Sequence, residues 1–423
     1  LPTFPSIPPP SPPPDAPFRS APSVCTMARA SIVATALACA AALVLLRRAL
    51  RRRLQRQQLI SVGEARLTAL SSQTTRSMGS SSDWLEMAPS PSFPLLPMTK
   101  PETLAACAAL RLDKPTIFIA SYPKSGTTWL QNVVYELATR GKRPLDHISK
   151  FCPFFENDKS WVHSPGGPSV VAPFHANAHE EIGLRIFNTH LLWHMMPGAG
   201  VSGGGAVLRG SSDGDHAPQP ANIDPIAASK LGKYIYVVRS PKDVCASFYE
   251  HLSHQAPEDG GFDGDADAFV RDWCSGECHF GRWTDHLASW LQSGPTFHDV
   301  RTAPSTLVGR DSRVLVLSFE FMKSDLPAAC RAIAAHCELE VSEAELDNIL
   351  PRLTFEYMKA NVGQFAPKSV AWVDKGDGFQ FVRRGRVGDG EAIYRGNECA
   401  KRYFRMLLGP NGEHVPACCR NLL

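Results

Sequence analysis

Three times along the chain a short apolar run rich in β-branched residues gives way to a polar turn and then to apolar positions spaced three and four apart. Residues 116–120 lead into the turn 121–125 and a helical face of Trp129, Leu130, Val133, Val134 and Leu137 that stops near Gly141. Residues 234–238 lead through Arg239 and Ser240 into a helix opening on Pro241, a residue whose fixed φ suits the first turn. Residues 314–317 precede a helix after Asp325, with Leu326, Cys330, Ile333, Ala334 and Cys337 in step. Strands that alternate with helices predict an α/β fold, a central parallel sheet flanked by helices. No repeat with a period of 20 to 50 residues interrupts that pattern.

Before this body the pattern changes. Residues 1–26 hold ten of the 35 prolines and are expected to be disordered. From Met27 an Ala/Leu/Val run over residues 30–46 meets Arg47, Arg48, Arg51, Arg52, Arg53 and Arg56, and no acidic residue lies between Asp15 and Glu64. Three readings stay open: a cleaved organellar transit peptide, a single membrane anchor, or an extension ahead of an internal start such as Met78 or Met98. As an anchor it would hold the downstream domain in the cytosol, because arginines follow the apolar run. A Ser/Pro/Met-rich linker is expected over about residues 71–99, so residues 1–100 are set apart from a domain over 101–423 and the expected compartment is the cytoplasm. Residues 198–229, with seven glycines and no periodicity, are expected to form a flexible surface loop.

With 423 residues, 43% of them hydrophobic, the chain can bury a large core. Its 44 Lys+Arg against 41 Asp+Glu leave +3, which gives no electrostatic case for nucleic acid, so anion binding must be local. The twelve cysteines lack the paired spacing of a secreted scaffold and read as free thiols. Cys274, Cys278 and His279 are the sole metal-like cluster, and without a second ligand pair an incidental spacing is favoured over a site; no metal is expected.

Three segments carry chemistry. Tyr122-Pro123-Lys124-Ser125-Gly126-Thr127-Thr128-Trp129 sits where strand hands over to helix, so helix-terminal N–H groups, hydroxyls and one lysine make an anion cradle. Lys124 precedes Gly126, unlike the Gly-Lys-Ser/Thr order of a nucleoside triphosphate loop. The competing reading is a plain Ser/Thr helix cap. In the second segment, Arg239-Ser240-Pro241-Lys242-Asp243, Arg239 and Ser247 could grip one phosphate from two sides, or Arg239 could be a surface ion-pair residue. In the third, Arg383-Arg384-Gly385-Arg386 suits a phosphate clamp or a solvated basic loop.

Taken together, these segments resemble the cytosolic sulfotransferase family, in a plant-like style, with its YPKSGTTW loop, R-x-PKD segment and late RKGxxGD element. The resemblance covers about residues 101–390. It implies a P-loop-related fold and 3′-phosphoadenosine 5′-phosphosulfate as co-substrate, without a metal. Lys124 and the amides of Ser125, Gly126, Thr127 and Thr128 would hold the 5′-phosphosulfate; Arg239, Ser247, Arg383, Arg384 and Gly385 the 3′-phosphate; and Trp129, Thr354 and Phe355 the adenine. Within Asn188-Thr189-His190-Leu191, which looks like the family's Thr-His-Leu element, His190 would be the base that takes a proton from an acceptor hydroxyl, with Lys124 neutralising the leaving oxygen. His194, His251 and His254 are its rivals. The acceptor implied is a small phenolic, flavonoid or steroid molecule.

The chain departs from the family in four places. Phe319 replaces a tyrosine that hydrogen-bonds the cofactor in many members, Gly390 replaces the tryptophan after Gly-Asp, residues 198–229 are longer than the family's usual connection, and no dimerisation motif follows Gly390. A nucleotide kinase on the same fold is the rival enzyme, disfavoured because Arg239 stands where an acidic magnesium ligand would end a strand. A catalytically weak bisphosphate-binding homologue is the rival non-enzyme.

Overall fold

The computed structural model describes residues 93–164, 167–199, 232–291, 296–297 and 313–423, all within one compact unit over residues 84–423. The apolar run 30–46 and its arginines lie outside the described residues, as do residues 200–229 of the expected loop. Among the described residues no helix is long and apolar enough to cross a membrane.

Five parallel strands form the central sheet: β1 (Thr116–Ser121), β2 (Arg185–Thr189), β3 (Gly232–Val238), β4 (Thr296–Phe297) and β5 (Val314–Ser318), in the order β2-β1-β3-β5-β4. Every residue of β1 and β5 is buried, as expected of parallel strands covered on both faces. The alternation of side chains along each strand divides them between two cores. Phe118, Ala120, Tyr234, Tyr236, Val314 and Val316 join one. Ile117, Ile119, Ile235, Val237, Leu315 and Leu317 join the other.

The helices that bear on the site are α1 (Thr127–Thr139), α2 (Pro241–Ser253), α3 (Trp283–Leu291), α4 (Phe319–Ser324), α5 (Leu326–His336) and α6 (Phe355–Ala360). Pro241 takes the first position of α2, and Asp325 caps α5 by accepting the N–H of Ala328. Helix α1 ends on Arg140 in the left-handed region at φ 53°, one residue before the glycine expected to stop it.

Two features differ from the sequence expectations. Phe93 to Thr99, expected as linker, already pack on the body: Phe93 meets Phe280 edge to face at 6.0 Å, and Phe280 donates its N–H to Pro94 O at 2.6 Å. The strand β2 was not anticipated, and it places the residue that follows it in the site. The register sets Ala120 beside Thr189, Ser121 beside Val237 and Val238 beside Ser318. Four strands therefore end within two residues of one another, and the residues just beyond those ends are Tyr122, His190, Arg239 and Phe319. Crevices at the carboxyl ends of such sheets are where α/β proteins bind ligands.

Candidate active site

A cavity of about 460 Å³ opens at those strand ends. Its wall includes Lys124, Gly126, Thr127, Thr128 and Trp129 from the first segment and Arg239 and Ser247 from the second. His190, Phe355, Arg383, Arg384 and Gly385 line the same space. Two residues expected in the site stand elsewhere. Ser125 is fully buried beneath the loop, and its N–H is already given to Tyr122 O at 3.3 Å. Thr354 caps α6, its Oγ1 accepting the Tyr357 N–H at 3.2 Å, and does not reach the cavity wall.

The loop between β1 and α1 turns sharply enough to aim its amides. Lys124 has φ 69° and Gly126, the N-cap, φ 109°. A Cβ at residue 126 would stand 2.8 Å from Phe319 Cδ2, so glycine is required both by the backbone and by the ring packed against it. The first-turn N–H groups of α1 have no intrahelical partner, and Gly126, Thr127 and Thr128 line the cavity. Ser121 Oγ and Thr127 Oγ1, 2.6 Å apart, tie the helix start to the strand end.

Arg239 crosses from β3 to both other segments. Its Nη1 donates to Lys124 O at 3.3 Å, and its Nη2 donates to Arg386 O at 2.9 Å and Asp243 Oδ2 at 3.3 Å. Its Nε is buried without a partner, a donor left over for a ligand, and its guanidinium stacks 4.4 Å over the Phe319 ring. Arg383 and Arg384 both donate to Asp389, at 2.6 and 3.0 Å. Gly385 has φ 58°, and a Cβ there would run into the Phe355 ring. Trp129 donates Nε1–H to Leu353 O at 2.7 Å, which fixes its ring against Phe319, edge on at 5.5 Å.

His190 is held in one tautomer. Its Nδ1 lies 2.7 Å from Ser121 O, and since a carbonyl can only accept, Nδ1 carries the proton and Nε2 is the basic nitrogen. Burial and the nearby Lys124 charge hold its pKa down to about 4 against the support of that hydrogen bond, so the ring is neutral at ordinary pH. Lys124 is also pulled down, to about 7, by burial first and by Arg239 and Arg383 after it. The last of these effects means that Arg383 and the lysine share one field.

Other residues of the site carry no local motif. His251 Nδ1 lies 3.2 Å from Lys124 Nζ, and burial beside Lys124 and His190 keeps that ring neutral. Glu156 is buried, accepts the His190 N–H at 2.7 Å, and is pushed up to about 7 mainly by burial. Asp243 accepts the N–H groups of Gly388 and Gly390 at 2.9 and 2.7 Å. Only the i,i+4 spacing of Arg239 and Asp243 is visible in sequence. Of the rival histidines, His251 lines the cavity beside Lys124, whereas His254 pairs with Asp377 at 2.8 Å and neither it nor His194 reaches the cavity wall.

The fold is thus that of an α/β protein with a parallel sheet, and a glycine-turned loop at a helix N-terminus, converging arginines and a neutral imidazole meet at its strand ends. The chain belongs to the sulfotransferase family: the model of the sulfotransferase domain matches residues 114–202 and 220–392. It is similar to luciferin sulfotransferase of Photinus pyralis, 27% identical over 58% of this chain and 57% of that one. Sulfotransferase 2B1 of Homo sapiens is 25% identical over 64% of this chain and 60% of its own. The chain thus spans less than two thirds of either relative. Among solved structures, mouse sulfotransferase SULT7A1 complexed with PAP is 23% identical, with a TM-score of 0.48, over 74% of this chain and 90% of that one.

Proposed function

We propose that the chain transfers a sulfuryl group from 3′-phosphoadenosine 5′-phosphosulfate to a hydroxyl of a small organic acceptor. One observation carries the reading: Lys124, Gly126–Trp129, Arg239 and Arg383–Gly385, far apart in sequence, line a single cavity into which His190 also faces. The N-terminal amides of α1 and Lys124 would hold the 5′-phosphosulfate, and Arg239, with its spare Nε–H, would hold the 3′-phosphate together with Ser247 and Arg383. Trp129 and Phe355 offer flat faces for the adenine. When bound, the co-substrate supplies an activated sulfur; the protein supplies position and charge.

With Nδ1–H given to Ser121 O, His190 Nε2 accepts the proton of the acceptor hydroxyl as that oxygen bonds to sulfur. The bond between sulfur and the phosphate oxygen breaks, and Lys124 neutralises the charge left on that oxygen. Adenosine 3′,5′-bisphosphate and the sulfated acceptor are the products. Phe154, Phe280 and Phe365 in the cavity wall suit an aromatic or polycyclic acceptor, and the plant-like style of the sequence directs the choice to phenols, flavonoids and steroids.

The kinase reading has less support. Among the described residues Asp389 is the one acidic side chain on the cavity wall, and both its oxygens are taken by Arg383 and Arg384, so a magnesium ion finds no free carboxylate there. Thermal shift with adenosine 3′,5′-bisphosphate, compared with ATP plus magnesium, separates the two. Transfer of labelled sulfate to a panel of phenols, flavonoids and steroids then tests the activity. Stabilisation by ATP alone, or bisphosphate binding with no transfer to any acceptor, would overturn the proposal.

A further inference from the structure

An imidazole serves as a base at one nitrogen only while the other keeps its proton and the backbone beneath it does not turn. His190 is the first residue beyond β2, where the sheet no longer fixes its peptide. Two buried side chains hold the peptide groups on either side of its Cα. Glu156 Oε1 accepts its N–H, and His286 Nε2, from α3, donates to its carbonyl at 2.9 Å. His286 has its own tautomer set from behind: with the proton on Nε2, Nδ1 accepts the Tyr236 O–H at 3.0 Å.

The support is rigid. Tyr236 lies on β3 beside Ala120 of β1, and the His286 ring stacks on it at 5.7 Å and 22° while meeting the Tyr122 ring edge on at 5.5 Å. His286 is fully buried, and burial holds its pKa down to about 3, so it keeps one proton and one lone pair to direct. Neither His286 nor Tyr236 lines the cavity, so neither touches a substrate.

We propose that Tyr236 and His286 form a buried hydrogen-bond relay that orients His190, which makes His286 a positioning residue for sulfuryl transfer. The proposal rests on His190 being the base. A histidine that merely packs is the competing role, and it predicts that turnover and ligand affinity fall together.

Three variants of the full chain test it: His286→Ala, His286→Gln and Tyr236→Phe. The readouts are kcat and acceptor KM at saturating donor, the Kd of adenosine 3′,5′-bisphosphate, and imidazole 15N shifts, with His190→Ala used to assign the His190 signals. His286→Ala should lower kcat at least ~10-fold, part of the ~100-fold or more a general base contributes, with KM and Kd nearly unchanged. Tyr236→Phe, which loses one hydrogen bond, should lower kcat ~3-fold. His286→Gln keeps a donor for the His190 carbonyl and should recover part of the loss. The His190 ring should move from Nδ1–H towards a mixture of tautomers in His286→Ala. The relay is overturned if Tyr236→Phe and His286→Gln fold and keep both kcat and the 15N pattern, or if bisphosphate affinity drops in parallel with turnover. Near-normal turnover of His190→Ala would instead remove the base itself.

Discussion

Asp243 Oδ1 accepts the backbone N–H of Gly390 at 2.7 Å, an approach so close that a Cβ on residue 390 would collide with the backbone of Lys242. The tryptophan of related sequences could not stand there without moving α2 away. The other oxygen of Asp243 takes Gly388 N–H and Arg239 Nη2, so one buried carboxylate holds both arginine-bearing segments. Asp243→Ala should lower the unfolding free energy by about 3 kcal/mol, because it strands the buried Arg239 charge. It should also weaken adenosine 3′,5′-bisphosphate at least ~10-fold, as expected when charged hydrogen bonds lose their geometry. Urea unfolding and calorimetric titration measure the two effects; an unchanged affinity would separate the segments from the phosphate site.

Lys124 links ligand binding to pH. In the free protein its pKa is held down to about 7 by burial and by Arg239 and Arg383, whereas a bound anion would restore the charged form to higher pH. Below pH 7 the lysine is charged with or without ligand, and affinity does not depend on its proton. Above pH 7 binding takes up a proton, so bisphosphate affinity should fall as pH rises, by up to ~10-fold per unit. Titrations from pH 6 to 9 should show this slope in the native chain and a flatter line in Lys124→Met. Equal slopes in the two proteins would remove the linkage.

The strands β1, β3 and β5 are legible because both of their faces are buried, which leaves continuous apolar runs. The edge strand β2 begins on Arg185 and carries half-buried Asn188, so its periodicity is broken, and β4 is two residues long. Strand order is not written in any local pattern. Lys124 and Arg239 stand out because each sits in a short segment whose chemistry is local, whereas His190 stands out through the resemblance of Thr189-His190-Leu191 to a family element. Glu156 and His286 meet the His190 peptide across 34 and 96 positions, and an isolated acid or histidine gives no sign of that pairing. Ser125 and Thr354 belong to the right segments, but the turn takes the Ser125 N–H, whose hydroxyl is buried without a partner, and helix capping takes the Thr354 hydroxyl.

Phe319 offers a gain-of-function test. Its ring lies under the Arg239 guanidinium, beside Trp129 and against Gly126, at the wall of the cavity. Phe319→Tyr adds one hydroxyl without changing that stack. If it reaches the bound nucleotide it should tighten bisphosphate ~2- to ~10-fold, the worth of one hydrogen bond. A weaker Kd would mean that the hydroxyl is buried without a partner.

The Nδ1–H of His190 is committed to Ser121 O, so Nε2 is the sole nitrogen that can accept a proton. Burial and Lys124 hold the free ring at about 4, so it binds a proton only below that pH and is ready as a base through the neutral range. Bound phosphate and sulfate charge would favour the imidazolium, so the acid limb of acceptor kcat/KM at saturating donor should fall at or above pH 4. His190→Ala should lower turnover at least ~100-fold with bisphosphate affinity retained, since in the proposed reaction the ring acts on the acceptor and not on either phosphate. Lys124→Ala should lower turnover as far and weaken the nucleotide as well. An enzyme without the imidazole that still sulfates a phenol whose pKa is near 10 at near-normal rate would leave the proton to water, and the geometry at Ser121 would then be structural alone.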